Sequence, residues 1–151
     1  MTSPDDGIDD EPGVTIRSLD NVAVGVRLSG QEPFDEDCVQ YVFEAWAPGL
    51  TARVDEVVAW IWDADLAVFV AGLAADYQGW EGERVWQTYD GDLAVSAVFR
   101  TGGHVGLTWT LRPWPNATEG WTASVTTWLE AGEQMSSLAS DVEDFLSGEQ
   151  P

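Results

Sequence analysis

The stretch Asp63-Ala64-Asp65-Leu66-Ala67-Val68-Phe69-Val70-Ala71-Gly72-Leu73-Ala74-Ala75-Asp76-Tyr77-Gln78-Gly79-Trp80-Glu81-Gly82-Glu83-Arg84-Val85-Trp86 decides how the rest of the chain is read. Leu66, Phe69, Val70, Leu73 and Tyr77 recur at helical spacing, which sets them on one face. Asp63 or Asp65 suits the first turn, where a carboxylate accepts orphan backbone N–H bonds and meets the positive end of the helix dipole. Gly79 is the expected stop, because a helix commonly ends on a left-handed residue. Gly72 inside the helix costs roughly 1 kcal/mol relative to Ala, and a close approach to a sheet would offset that. The opposite face carries Ala67, Ala71 and Ala75 with one charge, Asp76, so the helix is expected to be covered on more than one side. After the glycine stop, Trp80 to Trp86 reads as an aromatic-rich return into a strand.

On the N-terminal side the pattern is extended. Residues 14–19 read as a first strand, and Val22, Val24, Val26 and Leu28 alternate with smaller or polar residues, the period of a half-buried strand. Residues 29–37, with Gly30, Pro33 and Asp35-Glu36-Asp37, read as a loop. Val39, Tyr41, Phe43 and Ala45 share one face of the next strand. The strand over 50–62 alternates at first and becomes solidly apolar at 57–62, a pattern that predicts burial on both faces. Residues 1–13 hold five acids among Pro and Gly and are expected to stay outside the fold as an acidic tail.

On the C-terminal side the rhythm returns. Residues 84–89 read as a strand, and Asp90-Gly91 as a two-residue hairpin turn. Leu93, Val95, Ala97 and Phe99 face one way, and Thr101-Gly102-Gly103-His104 makes a turn. Val105, Leu107, Trp109 and Leu111 follow, then a proline-bearing loop over 113–120. Trp121, Ala123, Val125, Thr127 and Leu129 mark a last strand. Met135, Leu138, Ala139, Val142, Phe145 and Leu146 give a helix over 132–146 an apolar stripe. The expected architecture is one α+β domain over 14–147, a mainly antiparallel sheet packed by two helices, with a frayed end at 148–151. Echoes such as Leu73-Ala74-Ala75-Asp76 against Leu138-Ala139-Ser140-Asp141 are compatible with a duplicated strand–strand–strand–helix unit.

Charge is the strongest compositional signal. Among 151 residues, 27 Asp and Glu face six cations, all Arg, for a formal net charge of −21. Such a chain is poorly suited to direct contact with nucleic acid or anionic membranes, where Lys and Arg supply the phosphate contacts. It is well suited to solubility and to fast encounter with a basic partner. The opening residues carry no basic and apolar leader pattern, and no apolar run reaches the ~18 residues of a membrane span. A cytoplasmic location is therefore expected, and the Asn116-Ala117-Thr118 sequon carries no weight there.

Candidates for chemistry are few. Cys38 stands alone, which leaves no internal disulfide or cysteine metal cluster, and Asp35-Glu36-Asp37 beside it disfavours a thiolate. His104, the only histidine, has no evident partner for acid–base work. Asp35-Glu36-Asp37 lacks the glycine and ligand spacing of a calcium loop. No phosphate loop, nucleophile elbow or zinc signature is present. No catalytic residue, metal ligand or cofactor is assigned. The most distinctive segment is 78–86. Its structural reading has Trp80 and Trp86 clamping a helix end onto the sheet. Its functional reading is a recognition edge of Trp80, Glu81, Glu83, Arg84 and Trp86, because Trp often anchors interfaces; Arg84 would pair with Glu81 or Asp76 in either case.

The same residues carry a resemblance. Leu73-Ala74-Ala75-Asp76 leading into Gly79-Trp80-Glu81-Gly82-Glu83-Arg84 and Trp86, then Gly103-His104-Val105, then Glu130-Ala131-Gly132-Glu133-Gln134 with Leu138-Ala139, resemble a family of small uncharacterised actinomycete proteins, a domain of unknown function. The resemblance spans most of 14–147 and implies a compact cytoplasmic domain. It implies no activity and no site residues. The function expected from the residues is a non-catalytic acidic protein-binding module, in the manner of an immunity protein or antitoxin that covers a basic partner. Its rivals are an enzyme or small-ligand binder with a Trp-lined pocket, and a nucleic-acid mimic whose carboxylates are spaced like phosphates.

Overall fold

The computed structural model describes residues 12–60, 66–113 and 120–147. The expected caps Asp63 and Asp65, the sequon, most of the acidic tail and the frayed end lie outside the described residues.

Two antiparallel meanders follow one another, each ending in a helix. The first is β1 (Gly13–Arg17), β2 (Gly25–Asp35), β3 (Cys38–Ala47) and β4 (Leu50–Trp60), followed by α1 (Leu66–Ala75). The second is β5 (Glu83–Gln87), β6 (Leu93–Arg100), β7 (His104–Leu111) and β8 (Ala123–Glu130), followed by α2 (Glu133–Ser147). Sheet order equals chain order in both: β1-β2-β3-β4 and β5-β6-β7-β8. The α+β class and the two helices are as the periodicities predict. The unit that recurs has four strands and a helix rather than three, and the strands divide into two sheets rather than one.

Alternation sets the inner faces. Val14 and Ile16, Val26 and Leu28, Tyr41, Phe43 and Ala45, and Ala52 and Val54 are buried on the first sheet. Leu93, Val95 and Ala97, Val105, Leu107, Trp109 and Leu111, and Val125 and Leu129 are buried on the second. All belong to one apolar cluster. Phe43 and Trp109 bridge the sheets with ring centroids 5.4 Å apart. Trp109 keeps its polar handle satisfied, donating Nε1–H to Thr127 Oγ1 at 3.0 Å. α2 presses Met135, Leu138, Val142, Phe145 and Leu146 into the same core, and Phe145 meets Tyr41 edge-on at 5.9 Å. The helices pack side by side, and the C-terminal end of α1 meets the start of α2, where a Cβ on Gly132 would lie 4.0 Å from Tyr77 Cβ.

Four local expectations are corrected. Residues 29–37 are not a loop: β2 continues to Asp35 through two register shifts, with Gly30 at φ 63° and Pro33 inside the irregular part, where a missing N–H is tolerated. The run 57–62 is not buried on both faces over its described part, because β4 is an outer strand and only Val57 is fully buried. Asp90-Gly91 is not a two-residue turn; Thr88 N–H bonds the Leu93 carbonyl across a four-residue loop, 89–92. α1 is covered on one side only. Leu66, Ala67, Val70 and Leu73 are buried, while Val68 is 58 % exposed and Ala71, Gly72 and Ala75 also face solvent. Tyr77, expected in the buried stripe, lies past the helix end and is exposed. Gly72 makes no close approach: a Cβ there would meet nothing within 4 Å.

Candidate functional site

The distinctive segment begins where α1 stops. Asp76 N–H still reaches back to the Gly72 and Leu73 carbonyls, and Gly79 N–H bonds the Asp76 carbonyl at 2.9 Å. Gly79 adopts φ 115°, and a Cβ there would sit 2.9 Å from the Phe99 ring, so both conformation and space demand glycine. The chain leaves the helix flat against β6. Trp80 then packs edge-on against Phe99 at 5.4 Å and donates Nε1–H to the Ala97 carbonyl at 3.4 Å. The Arg84 guanidinium lies 4.7 Å from the Trp80 ring centroid and bonds Asp76 Oδ2 at 2.6 Å. Asp76, Arg84, Trp80 and Phe99 therefore staple the end of α1 to the second sheet. Of the two expected partners for Arg84, Asp76 is the one it takes.

The remaining members of the recognition edge separate by face. Trp86 turns inward on β5 beside Val95 and packs against the core. Glu83 turns outward and accepts a hydrogen bond from Ser96 Oγ. Glu81 is exposed at the turn, which Gly82 closes at φ 76°. The structure thus brings Trp80 and Arg84 together and holds Trp86 in the same sheet, while Glu81 and Glu83 face solvent.

Other candidates are placed as follows. Cys38 is buried at the start of β3; burial pushes its thiol up, and Asp35 and Asp37 push it further, which keeps it protonated and unreactive. His104 is exposed at the start of β7, opposite Arg100 on β6 and Glu130 on β8. Among the described residues no group of three or more His, Cys, Asp or Glu is disposed to hold a metal ion.

Several features escape sequence reasoning. Trp128 lies flat over Gly106, whose Cβ would fall 2.6 Å from the ring, with the Arg100 guanidinium 3.8 Å from the ring centroid. Trp46 lies over Gly25 in the same way, a Cβ there falling 2.7 Å from the ring, with Arg17 at 5.8 Å. Gly106 and Gly25 were legible only as small residues in alternating strands; nothing in the sequence signals that a Trp on the neighbouring strand, directly in register, would cover each of them. Asp92 is buried behind the β5–β6 loop. Thr88 Oγ1–H donates to Asp92 Oδ1 at 2.6 Å, and the same oxygen accepts N–H bonds from Asp92 at 3.1 Å and Leu93 at 3.3 Å. Burial raises the Asp92 carboxyl, and the Thr88 hydrogen bond partly opposes that rise.

Asp92 is the one buried acid among the described residues. The others are exposed or half-buried; Glu44 and Asp55 form salt bridges with Arg53, and Asp76 with Arg84. Three of the six arginines, Arg17, Arg27 and Arg53, share the outer face of the first sheet in register with Gly25, Glu44 and Trp46. No described helix is long and apolar enough to cross a membrane.

Fold and site together define an acidic α+β protein of two four-stranded antiparallel sheets and two paired helices, with a stapled aromatic turn between its halves. The chain belongs to a family of unknown function (DUF6228), whose model matches residues 17–149. No match was found among curated proteins or among solved structures.

Proposed function

We propose that this protein is a non-catalytic acidic protein-binding module whose exterior captures a basic partner, in the manner of an immunity protein or antitoxin. The observation that carries the reading is the distribution of charge. The chain carries a net charge of −21, and of its described acids all but Asp92 are exposed or half-buried. A field of one sign raises encounter rates with an oppositely charged partner and rejects like-charged ones. The recognition edge of Trp80, Glu81, Glu83, Arg84 and Trp86 sets two half-buried Trp beside exposed carboxylates, a composition suited to the margin of an interface. The reading extends to a cytoplasmic location in an actinomycete, consistent with cations that are all Arg.

The test is capture of partners from the native host at about 0.05 M and about 0.5 M salt, since attraction between exposed charges is screened within a Debye length. A basic protein retained at low salt and released at high salt supports the reading. Retention of no salt-sensitive partner removes it.

A further inference from the structure

Two four-stranded sheets have four outer strands, and three of them are guarded. β1 and β8 are linked where they end: Leu19 N–H donates to the Trp128 carbonyl at 2.9 Å, and Trp128 N–H to Ser18 Oγ at 2.9 Å. β4 is irregular, its register on β3 shifting between Tyr41 and Phe43, and Glu56 stands at φ 58°. Such a bulge turns an edge away from incoming strands. β5 has neither device. Its register on β6 runs unbroken from Glu83↔Val98 to Gln87↔Ala94, and among the described residues no backbone hydrogen bond reaches it from its outer side.

The chemistry along β5 also differs from that of a guarded edge. Val85 at its centre is 66 % exposed, and Tyr89 just beyond it is 84 % exposed. Glu81, Glu83 and Asp90 surround them in solvent. The only cation of the strand, Arg84, lies on the inner side and is engaged by Asp76 and Trp80. The open backbone is therefore framed by carboxylates. A second copy offering its own β5 would bring like charges together, whereas a basic segment would meet complementary ones.

We propose that β5 is the docking strand. The partner supplies an extended segment that pairs with β5 as a fifth strand of the second sheet, with Lys or Arg on the side beside Glu83 and apolar side chains on the side beside Trp86. Strand addition takes affinity from main-chain hydrogen bonds and selectivity from alternate side chains. This rests on the acidic-module reading and gives it a place and a binding mode.

The probe is a synthetic peptide of about eight residues alternating Lys and Val, the length of a strand, added to the isotopically labelled full chain. Amide hydrogen exchange is read residue by residue. The expected result is that exchange within 83–87 slows about tenfold or more when the peptide binds, since newly bonded amides exchange only through opening. Binding weakens with salt, and a peptide with Glu in place of Lys does not bind. Val85→Lys, at a site whose side chain is mostly solvated, should lower affinity about tenfold, because a charge at the centre of an edge opposes pairing. Binding without protection of 83–87, or undiminished by Val85→Lys, overturns the docking strand. So does absence of binding by the basic peptide, or protection of these amides in the free protein that grows with its concentration, which would mark a second copy. None of these outcomes touches the acidic-module reading, which stands or falls with salt-dependent capture from the host.

Discussion

Gly106→Ala tests how the second sheet is held to the end of β1. A Cβ on Gly106 would lie 2.6, 2.7 and 2.9 Å from three atoms of the Trp128 ring. Favourable carbon contacts lie near 3.5–4.0 Å, so the ring must retreat by about 1 Å. It is not free to do so. Its backbone N–H and carbonyl are both engaged by Ser18 and Leu19, and Arg100 covers its face at 3.8 Å. Overpacking of this kind costs about 1–3 kcal/mol, and a displaced cation–π contact near the surface adds about 0.5–1 kcal/mol. At about 2–4 °C per kcal/mol for a chain of this size, Tm should fall by roughly 3–16 °C. The assay is urea denaturation of the parent, Gly106→Ala, Trp128→Ala and the double variant. With the ring gone, the added methyl has nothing to strike, so its cost should vanish in the Trp128→Ala background. An equal cost with and without Trp128, or no cost in the parent, refutes the reasoning.

Three further outcomes are expected. Gly72→Ala should stabilise the protein by about 1 kcal/mol, since a Cβ there meets open space and Ala is the better helix former; a loss in denaturation experiments would mean that something packs on that face. Thr88→Val should cost about 1–3 kcal/mol, because the buried Asp92 carboxylate loses its hydroxyl donor and two N–H groups lose their acceptor; calorimetry checks this. Asp92→Asn isolates one titration. Burial raises the Asp92 carboxyl above its ordinary value of 3.8, so the folded state holds that proton more tightly than the unfolded chain does. Its contribution is unfavourable above the folded pKa and that penalty fades as pH falls through the folded value towards the unfolded one. The stability of Asp92→Asn relative to the parent should therefore be most favourable near neutral pH and shrink in acid, as paired denaturation curves will read; a difference independent of pH sinks the assignment.

The sequence by itself determined the class of structure. Alternation at Val26 and Leu28, Tyr41 and Phe43, and Val105 to Leu111 needs only local periodicity to be read, and the same residues line the core. The stripe of α2 was legible for the same reason, and Gly79 is left-handed as expected, although α1 ends before it at Ala75. The candidate site was legible in part. Trp80 and Arg84 advertise themselves by composition, but their choice of Phe99 and Asp76 depends on where β6 passes. Division into two sheets, the facing of Phe43 on Trp109, and the openness of β5 were decided only in three dimensions. An antiparallel meander has the same period of two wherever it is cut, so no residue pattern marks where one sheet ends. Exposure of α1 is the clearest case: Ala71, Gly72 and Ala75 are small enough to lie in a core or against water, and tertiary packing put them in water.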